Sequence, residues 1–247
     1  MRVMDIGTIQ KLRELDEGFY RDNAASFSHT RHHAWPGWDR VLAALPGNPE
    51  TVLDMACGNA RFKSFLDERV GDKNLCYYGI DSCPSLLPND RQFEFQNLDI
   101  IGALLEGTLI SSLEAPACDL TACFGFIHHV PTNELRLALL DALVEKTEPG
   151  GTLAISFWQF ACDANMRERA LSTTERGCAD LGLMLDEGDF LLGWNDMPGV
   201  YRYCHSFNAD ELDAFIAHCG SCAQLADRFE ADGKNGQMNG YLVFRKK

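Results

Sequence analysis

Three acidic residues lie beside short apolar segments in the first hundred residues, and each can accept hydrogen bonds or attract a cation. Asp54 lies in segment 51–55, and a turn of small residues that includes Ala56 and Gly58 follows directly. Small side chains in such a turn let a ligand approach the backbone closely. Asp81 and Asp99 follow the next two apolar segments. Because parallel strands end at the ligand-binding edge of an α/β sheet, this order predicts a nucleotide-cofactor pocket.

The sequence of the first turn distinguishes between two cofactors. A dinucleotide fingerprint, Gly-x-Gly-x-x-Gly, holds a pyrophosphate at a helix N-terminus, whereas this chain reads Ala56-Cys-Gly58-Asn-Ala60-Arg. The carboxylate of Asp54 would repel a pyrophosphate, but it attracts the ammonium and sulfonium groups of S-adenosylmethionine. We therefore expect S-adenosylmethionine rather than NAD.

The second and third acids have roles in the same hypothesis. Asp81 lies at the usual distance along the chain for an acid that accepts hydrogen bonds from ribose hydroxyls. Asp99 can accept from an adenine amino group while Ile100 covers the ring. Any one of these acids could instead be a helix cap or a turn residue. Their succession at three strand ends favours the cofactor site.

Two adjacent histidines follow the fourth predicted strand, beside the same pocket. His128 or His129 could take a proton from an acceptor that is a hydroxyl or a ring nitrogen, because a histidine pKa lies near neutrality. A histidine pair at a helix start can also be a structural cap. We expect the pair to be catalytic, with both alternatives open for each residue.

Aromatic and basic residues outside the strands could hold an acceptor. Arg31 lies in segment 20–38, which is rich in aromatic residues and histidines, and an arginine there can bind a carboxylate. Trp158, Trp194 and Tyr203 could stack on a flat acceptor, although such side chains more often belong to the core.

Apolar segments and turn signals predict the elements that position these residues. Helices are expected at 8–20, after Trp35 with Pro36 at the start, and at 61–70, 132–146, 163–181 and 210–219. The alternation of strands with helices predicts an α/β fold of the Rossmann-like, doubly wound kind. The Gly-rich loop 232–236 predicts an antiparallel hairpin at the end of a mostly parallel sheet.

The chain has 247 residues, no repeat and no obvious linker, which predicts one domain over residues 1–247. Residues 1–45 are expected to form a helical lid. Residues 160–205 depart from strict alternation, so we expect an insertion that covers the active site.

Charge and composition bear on partners. Basic residues number 22 and acidic residues 36, which gives a net charge of −14 and argues against unaided binding to a polyanion. A nucleic-acid substrate would need a partner or a local basic cluster, for which the candidates are Arg21, His29, Arg31, His32, His33, Arg40, Arg245, Lys246 and Lys247.

The ten cysteines are expected to be reduced thiols in a cytoplasmic protein, since the N-terminus lacks the apolar core of a signal peptide and no membrane-spanning segment is evident. Cys219 and Cys222, after His218, have the spacing of a redox pair or half a zinc site, with Cys204 and His205 as possible further ligands. We favour the simpler interpretation that Gly220 ends a helix there, with no metal bound.

Over nearly its whole length the chain resembles class I S-adenosylmethionine-dependent methyltransferases. The resemblance rests on the segments 52–59, 79–82, 124–129 and 149–153, which match the successive motifs of that superfamily. Within it, the segments 26–36, 127–130 and 202–205 are similar to the branch that methylates carboxymethyluridine at the tRNA wobble position. The family commonly has glycines where this chain has Ala56 and Ala60.

The resemblance implies a mostly parallel seven-stranded sheet, S-adenosylmethionine as cofactor, and roles for particular residues. It implies cofactor contacts by Tyr20, Arg31, Asp54, Ala56, Gly58, Asp81, Ser82, Asp99, Ile100 and Phe124. It implies that Arg31, His128, His129 and Arg202 position a carboxylate acceptor, which needs no base because it is already ionised at neutral pH. The eukaryotic branch members work with a small activating protein, so such a partner is possible here.

Three functions from different classes follow from these observations. The first is an enzyme that methylates tRNA, the second an enzyme that methylates a small carboxylate or aromatic metabolite, and the third a non-catalytic S-adenosylmethionine-binding protein. The branch motifs favour the first and the acidic charge favours the second. The polar residues at the expected acceptor side make the third the least favoured.

Overall fold

A computed structural model describes residues 4–29, 33–71, 74–88, 90–195 and 197–247, with the side chain of Phe27 excepted. Its main sheet has seven strands in the order β3-β2-β1-β4-β5-β9-β8, and β6 and β7 form a separate two-stranded sheet. The strands are β1 (Thr51–Met55), β2 (Cys76–Asp81), β3 (Glu94–Asn97), β4 (Cys118–Cys123), β5 (Thr147–Trp158), β6 (Asp189–Gly193), β7 (Tyr201–His205), β8 (Ala223–Ala231) and β9 (Asn239–Lys246).

Strands β1 to β5 pair in parallel, whereas β9 pairs antiparallel with both β5 and β8. The predicted fold class, a mostly parallel seven-stranded sheet that ends in an antiparallel hairpin, is confirmed. Residues 232–238 join β8 to β9 and include the segment 232–236 that predicts the hairpin.

The helices in the described ranges are α1 (Ile6–His29), α2 (Pro36–Ala43), α3 (Arg61–Arg69), α4 (Ile100–Leu105), α5 (Leu109–Ser112), α6 (Asn133–Glu145), α7 (Ala164–Leu181) and α8 (Ala209–Cys219). Pro36 is the first residue of α2. Asn208 and Glu211 form a reciprocal capping box at the start of α8, which satisfies two backbone N–H groups. No helix in these ranges is both long and apolar enough to cross a membrane.

Successive residues of each central strand belong to opposite faces of the sheet, and each face has its own core. On β1, Leu53 packs into the core that includes α4, α6 and α8, whereas Val52 packs into the core beneath α2 and α3. Both residues are fully buried. Covered on both faces, the sheet exposes its strand ends for ligand binding.

The first helix and the insertion form a second layer at the carboxyl edge of the sheet. Helix α1 extends to His29, nine residues beyond the predicted end, and its Leu12 packs with Leu191 and Tyr203 of the β6–β7 hairpin. The sequence predicts the helix of the insertion but not this hairpin. Its strands are short, and their apolar residues pack against α1, far away in the sequence.

Asp232 connects the start of α2 to strand β9 through hydrogen bonds at a buried position. Its carboxylate accepts from the backbone N–H of Gly37 at 3.0 Å, from the Asn239 amide at 2.8 Å and from the Tyr241 hydroxyl at 2.5 Å. The start of α2 is thereby attached to the β8–β9 hairpin.

We expect Asp232→Asn to lower the free energy of unfolding by about 1–3 kcal/mol, because the new amide group faces donors that then have no acceptor. Asparagine keeps the shape of the side chain and tolerates the left-handed backbone at this position, where φ is 66°. Urea unfolding measures the change. Asp213→Asn, which breaks a surface ion pair with Arg228, is the matched control and should cost less than about 1 kcal/mol. Equal losses in the two variants would contradict the role of Asp232.

Candidate active site

A cavity of about 830 Å³ lies at the carboxyl edge of the main sheet, beneath α1 and beside β7. This volume is within the range of roughly 300–1,000 Å³ that is usual for small-molecule sites. The cavity brings together thirteen of the sixteen predicted site residues: Tyr20, Asp54, Ala56, Gly58, Asp81, Ser82, Asp99, Ile100, Phe124, His128, His129, Trp158 and Arg202.

Three of the predicted residues are not among those that line the cavity. Arg31 lies outside the described residues. Trp194 packs on Phe19 with ring centroids 5.5 Å apart, and its indole N–H donates to Ser26. Tyr203 is completely buried, and its hydroxyl donates to Asp189 at 2.6 Å, so it belongs to the core and cannot stack on an acceptor.

The turn between β1 and α3 has a left-handed backbone at three positions, with φ of 60° at Ala56, 54° at Gly58 and 57° at Ala60. Left-handed backbone costs a non-glycine residue roughly 1–2 kcal/mol. This conformation explains why glycine is common at these positions in the family that the chain resembles. The two alanines keep the turn shape at a cost in stability.

Asp81 fixes this turn with both carboxylate oxygens. One accepts from the Gly58 N–H at 2.8 Å and the other from the Cys83 N–H at 2.8 Å. Burial raises the pKa of Asp81, and these backbone donors oppose that effect. Each carboxylate oxygen has two lone pairs, so the cavity-lining Asp81 can also accept from ribose hydroxyls.

Asp99 is both a helix cap and a cavity-lining acid, the two roles that the sequence allows for it. It caps α4 by accepting from the Gly102 N–H at 2.9 Å, and it forms an ion pair of 2.7 Å with Arg13 of α1. It also lines the cavity next to Ile100. The cap positions the carboxylate at the expected adenine end of the site.

Asp54 is buried at the base of the cavity, where the Tyr77 hydroxyl donates to it. The pKa of Asp54 is raised to about 7, first by burial and then by the neighbouring Asp81, against the opposing effect of the Tyr77 hydrogen bond. The charge of Asp54 therefore changes near neutral pH. A cationic ligand in the cavity favours its ionised form.

His128 and His129 lie on a short 3₁₀ turn after β4, with ring centroids 4.2 Å apart. The ring of His128 lies 5.1 Å from that of Trp158. His129 has hydrogen-bonding partners at both nitrogens: Tyr20 Oη is 2.7 Å from Nε2, and the Tyr203 carbonyl oxygen is 2.8 Å from Nδ1. His129 therefore acts on the cavity through Tyr20 rather than through a free nitrogen.

Arg202 is a buried cation at the acceptor side of the cavity. Its guanidinium carbon lies 5.3 Å from the ring centroid of Phe19 and 5.6 Å from those of Trp158 and Trp194. These three rings form the aromatic cage of Arg202. Within the described part of the chain, Nε of Arg202 has no hydrogen-bond partner. A buried arginine with unused donor capacity suits a carboxylate ligand.

Sequence reasoning missed several residues of the cavity. Asp16, one helical turn before Tyr20, pairs with His129, and Arg61 stacks near Trp35 and Trp38 with centroid distances of 5.3 Å and 5.8 Å. Asp16 and Tyr20 are four residues apart, a spacing that places both on the same face of a helix. This spacing is the signal in the sequence that could have identified Asp16. Arg61 lies directly after the cofactor turn.

Several residues of the predicted basic cluster have partners within the protein. Arg40 makes an ion pair with Asp227 at 2.7 Å, and Arg21 makes one with its neighbour Asp22. Arg245 donates to backbone carbonyl groups. Arg31 and His32 lie outside the described residues.

The cysteine pair 219 and 222 is not part of a metal-ligating group among the residues that the structure describes. The one group of that kind there consists of His128, His129 and Cys204. Helix α8 ends at Cys219 with Gly220 as its C-cap, as the helix-end interpretation predicts. Cys219 is buried and Cys222 is exposed. His205 is engaged by Asp189 and Glu211.

The fold is the one found in class I methyltransferases. The didemethyltoxoflavin N1-methyltransferase of Burkholderia thailandensis, solved with its substrate and S-adenosylhomocysteine, superposes with a TM-score of 0.63 over 100% of this chain and 93% of its own, at 15% identity. That likeness concerns the fold. No protein-family model matches the chain.

Two relatives in sequence are methyltransferases by name. The tRNA (carboxymethyluridine(34)-5-O)-methyltransferase of Xenopus tropicalis is 31% identical over 63% of this chain, which spans 23% of that relative. A putative methyltransferase of Encephalitozoon cuniculi is 28% identical over 78% of this chain and 80% of its own length. These matches confirm the predicted resemblance and support the predicted enzyme class and its cofactor, S-adenosylmethionine.

We expect Ala60→Gly to raise the free energy of unfolding by about 0.5–1 kcal/mol, because relief of the left-handed strain exceeds the extra chain entropy of glycine. The melting temperature should rise by about 2 °C. Ala214→Gly, at an exposed position inside α8, is the control and should lose about 1 kcal/mol. A loss of stability in Ala60→Gly would refute the strain argument.

We expect S-adenosylmethionine to bind about five- to tenfold more tightly at about pH 7.5 than at about pH 6, because Asp54 ionises over this interval. Because folding raises the pKa of Asp54, the ligand-free protein loses stability as the pH rises from 3.8 to about 7. Over the same interval Asp54 becomes charged, so the affinity for the cationic ligand rises. Calorimetric titration at both pH values measures it. Asp54→Asn should bind S-adenosylmethionine with nearly the same affinity at both pH values. If this variant keeps the pH dependence of the wild type, Asp54 is excluded as the cause.

Proposed function

We propose that this protein transfers a methyl group from S-adenosylmethionine to a carboxylate, and that the carboxylate is that of carboxymethyluridine at the tRNA wobble position. The observation that carries the proposal is the buried Arg202 in its aromatic cage, on the same cavity as the acids at the strand ends. The sequence similarity to tRNA carboxymethyluridine methyltransferases supports it.

The cofactor half of the cavity fits S-adenosylmethionine in charge and shape. Asp54 provides negative charge for the ammonium and sulfonium groups. Asp81 and the left-handed turn that it fixes provide acceptors and close backbone approach for the ribose. Asp99, with Ile100 beside it, provides an acceptor for the adenine amino group.

The acceptor half fits an anion on a flat ring. Arg202 can donate two parallel hydrogen bonds to a carboxylate, and its aromatic cage reduces competition from water. Trp158 lies between Arg202 and His128, at the edge of the cavity, where it can stack on a base. A carboxylate with a pKa near 4 is already ionised, so it needs no proton acceptor at neutral pH.

When bound, S-adenosylmethionine would supply a methyl carbon that its sulfonium already activates. The contribution of the chain is to align the nucleophilic oxygen with that carbon and to exclude water. Arg202 holds the carboxylate, and α1, which packs on the β6–β7 hairpin, contributes Tyr20 and Asp16 to the wall of the cavity. A lid of residues 1–45 and an insertion of residues 160–205 over the active site remain part of this proposal.

Recognition of tRNA must overcome the net charge of −14. The arginines at positions 40 and 245 are engaged within the protein. We therefore propose that a second protein, such as a small activating partner, supplies part of the RNA-binding surface. The Xenopus relative is about four times longer than the segment that this chain matches, and the rest of that relative lies outside the match.

Radiolabelled methyl transfer to tRNA tests the proposal. The substrate is tRNA from cells that lack this protein, with and without soluble extract from those cells as a source of a partner. We expect label in nuclease-sensitive RNA that mild base releases, because a methyl ester is base-labile. Asp81→Ala should abolish transfer, and Arg202→Met should lower kcat/KM for RNA by about 10- to 100-fold through loss of a charge-assisted hydrogen bond.

Asp213→Ala, at a surface ion pair, is the control and should transfer label as the wild type does. Label only in small molecules would overturn the tRNA assignment and identify a metabolite methyltransferase. Absence of label in every fraction, with S-adenosylmethionine bound, would identify a binding-only protein. Base-stable label in RNA would contradict a carboxylate acceptor.

A further inference from the structure

An acid and an arginine flank the turn between β1 and α3 on the wall of the cavity. Asp54 belongs to the end of β1, and Arg61 is the first residue of α3. Both residues line the cavity. Burial lowers the pKa of Arg61, and the charge of Asp54 is the largest effect that opposes it, so the two groups are close enough to interact. A negative and a positive group therefore lie near each other on one wall.

Arg61 has no carboxylate partner of its own within the described part of the chain. Its guanidinium donates to the His33 carbonyl oxygen at 3.3 Å, and no described acid lies within ion-pair distance of it. Arg13, another arginine of the cavity wall, differs because it pairs with Asp99 at 2.7 Å. A guanidinium has five N–H donors, so Arg61 keeps donors for a ligand.

The position of Arg61 is unfavourable unless an anion lies nearby. The N-terminus of a helix carries partial positive charge, which repels a cation. The first turn of α3 contains no acidic residue, and its N-cap, Ala60, makes no side-chain hydrogen bond. The indole N–H of the cavity-lining Trp38, whose ring centroid is 5.8 Å from the Arg61 guanidinium carbon, is buried without a partner in the described ranges. This wall therefore has more donors than acceptors.

Aromatic rings fix the orientation of the Arg61 guanidinium. Its carbon lies 5.3 Å from the ring centroid of Trp35, which is also on the cavity wall. Gly125, just after β4, gives Trp35 its room, because a Cβ atom there would lie 3.0 Å from the indole ring. A planar guanidinium that is already held in place loses less entropy when it binds a carboxylate. Arg61 is thus prepared for an anion before the ligand arrives.

We propose that Arg61 binds the α-carboxylate of S-adenosylmethionine while Asp54 attracts its α-ammonium group, so that the two residues together recognise the amino-acid end of the cofactor. This end is a zwitterion whose two charged groups are joined through one carbon atom. The adjacent acid and arginine on the wall complement it. The resemblance implies a cofactor contact by Arg31 but none by Arg61. The inference depends on the cofactor and on no particular acceptor.

The arrangement makes the carboxylate a condition for tight binding. A ligand that has the ammonium group but no carboxylate leaves Arg61 at the positive end of α3 without an anion. A ligand that lacks the whole amino-acid end loses the attraction of Asp54 as well. Arg61 therefore selects against decarboxylated and truncated forms of the cofactor. It also fixes one end of the chain that carries the sulfonium, which helps to align the methyl group with an acceptor.

Calorimetric titration with three ligands tests the inference without any methyl acceptor. The ligands are S-adenosylhomocysteine, its decarboxylated analogue, which keeps the amino group, and 5′-methylthioadenosine, which lacks the amino-acid end. We expect the wild type to prefer S-adenosylhomocysteine over the decarboxylated analogue by at least about tenfold, and Arg61→Met to reduce this preference to less than about threefold. Both proteins should bind 5′-methylthioadenosine alike, which shows that the adenosine part of the site is still folded.

Arg40→Met is the matched control. Arg40 also lies over an aromatic ring, that of Phe229 at 4.3 Å, but it pairs with Asp227 and is not among the residues that line the cavity. This variant should keep the preference of the wild type. Arg61→Lys keeps the charge but not the planar fork, so it should retain part of the preference.

Several results would overturn the inference. One is equal affinity of the wild type for S-adenosylhomocysteine and the decarboxylated analogue. Another is a preference that Arg61→Met leaves intact, and its loss in Arg31→Met instead would assign the carboxylate to Arg31. Equal weakening of all three ligands in Arg61→Met would show that Arg61 only supports the fold. If the wild type binds none of the three ligands, the cofactor itself is wrong. Because no acceptor is present, failure of the tRNA proposal is a separate result.

Discussion

Burial of ionisable groups at the carboxyl edge of the sheet is the constraint on which the rest of the structure depends. A buried carboxylate is costly unless donors or a cation surround it. Each acid at this edge has such partners: Asp54 has Tyr77, Asp81 has two backbone N–H groups, and Asp16 has His129 with a third backbone N–H. Because the partners come from different elements, satisfying the acids also fixes how those elements are arranged.

Asp189 is another buried acid surrounded by donors, and it attaches the insertion to the main fold. It accepts from the Tyr203 hydroxyl and approaches His205 Nδ1, both at 2.6 Å, and it pairs with Arg136 of α6 at 3.3 Å. His205 in turn contacts Glu211 of α8 at 2.7 Å. This buried network binds the β6–β7 hairpin to two helices of the main fold. Arg202, which directly precedes Tyr203 on β7, is held at the cavity as a result.

The strands of the main sheet, the acids at their ends and the final hairpin follow from local patterns, because apolar segments, small-residue turns and glycines act over a few residues. The arrangement of the acceptor side could not be predicted from such local patterns. Tyr203 was expected at the ligand and lies in the core, since only the packing of α1 on β7 decides its burial. The pairing of Asp16 with Tyr203 and His129 joins residues far apart in sequence, and no local pattern encodes it. The left-handed backbone of Ala56 and Ala60 was also hidden, because alanine gives no sign of positive φ.

The position of α1 has a consequence for how the protein is made. Asp16 and its partner Tyr203 are separated by 187 residues, so α1 meets its partner strand only after the segment between them has been synthesised. Strands β1 to β5 precede that strand and can pair earlier, which makes the cofactor half of the cavity independent of the final segments. Contacts of such large sequence separation form slowly because loop closure comes first. A nascent chain therefore has the elements of the cofactor turn before it has the strand that carries Arg202.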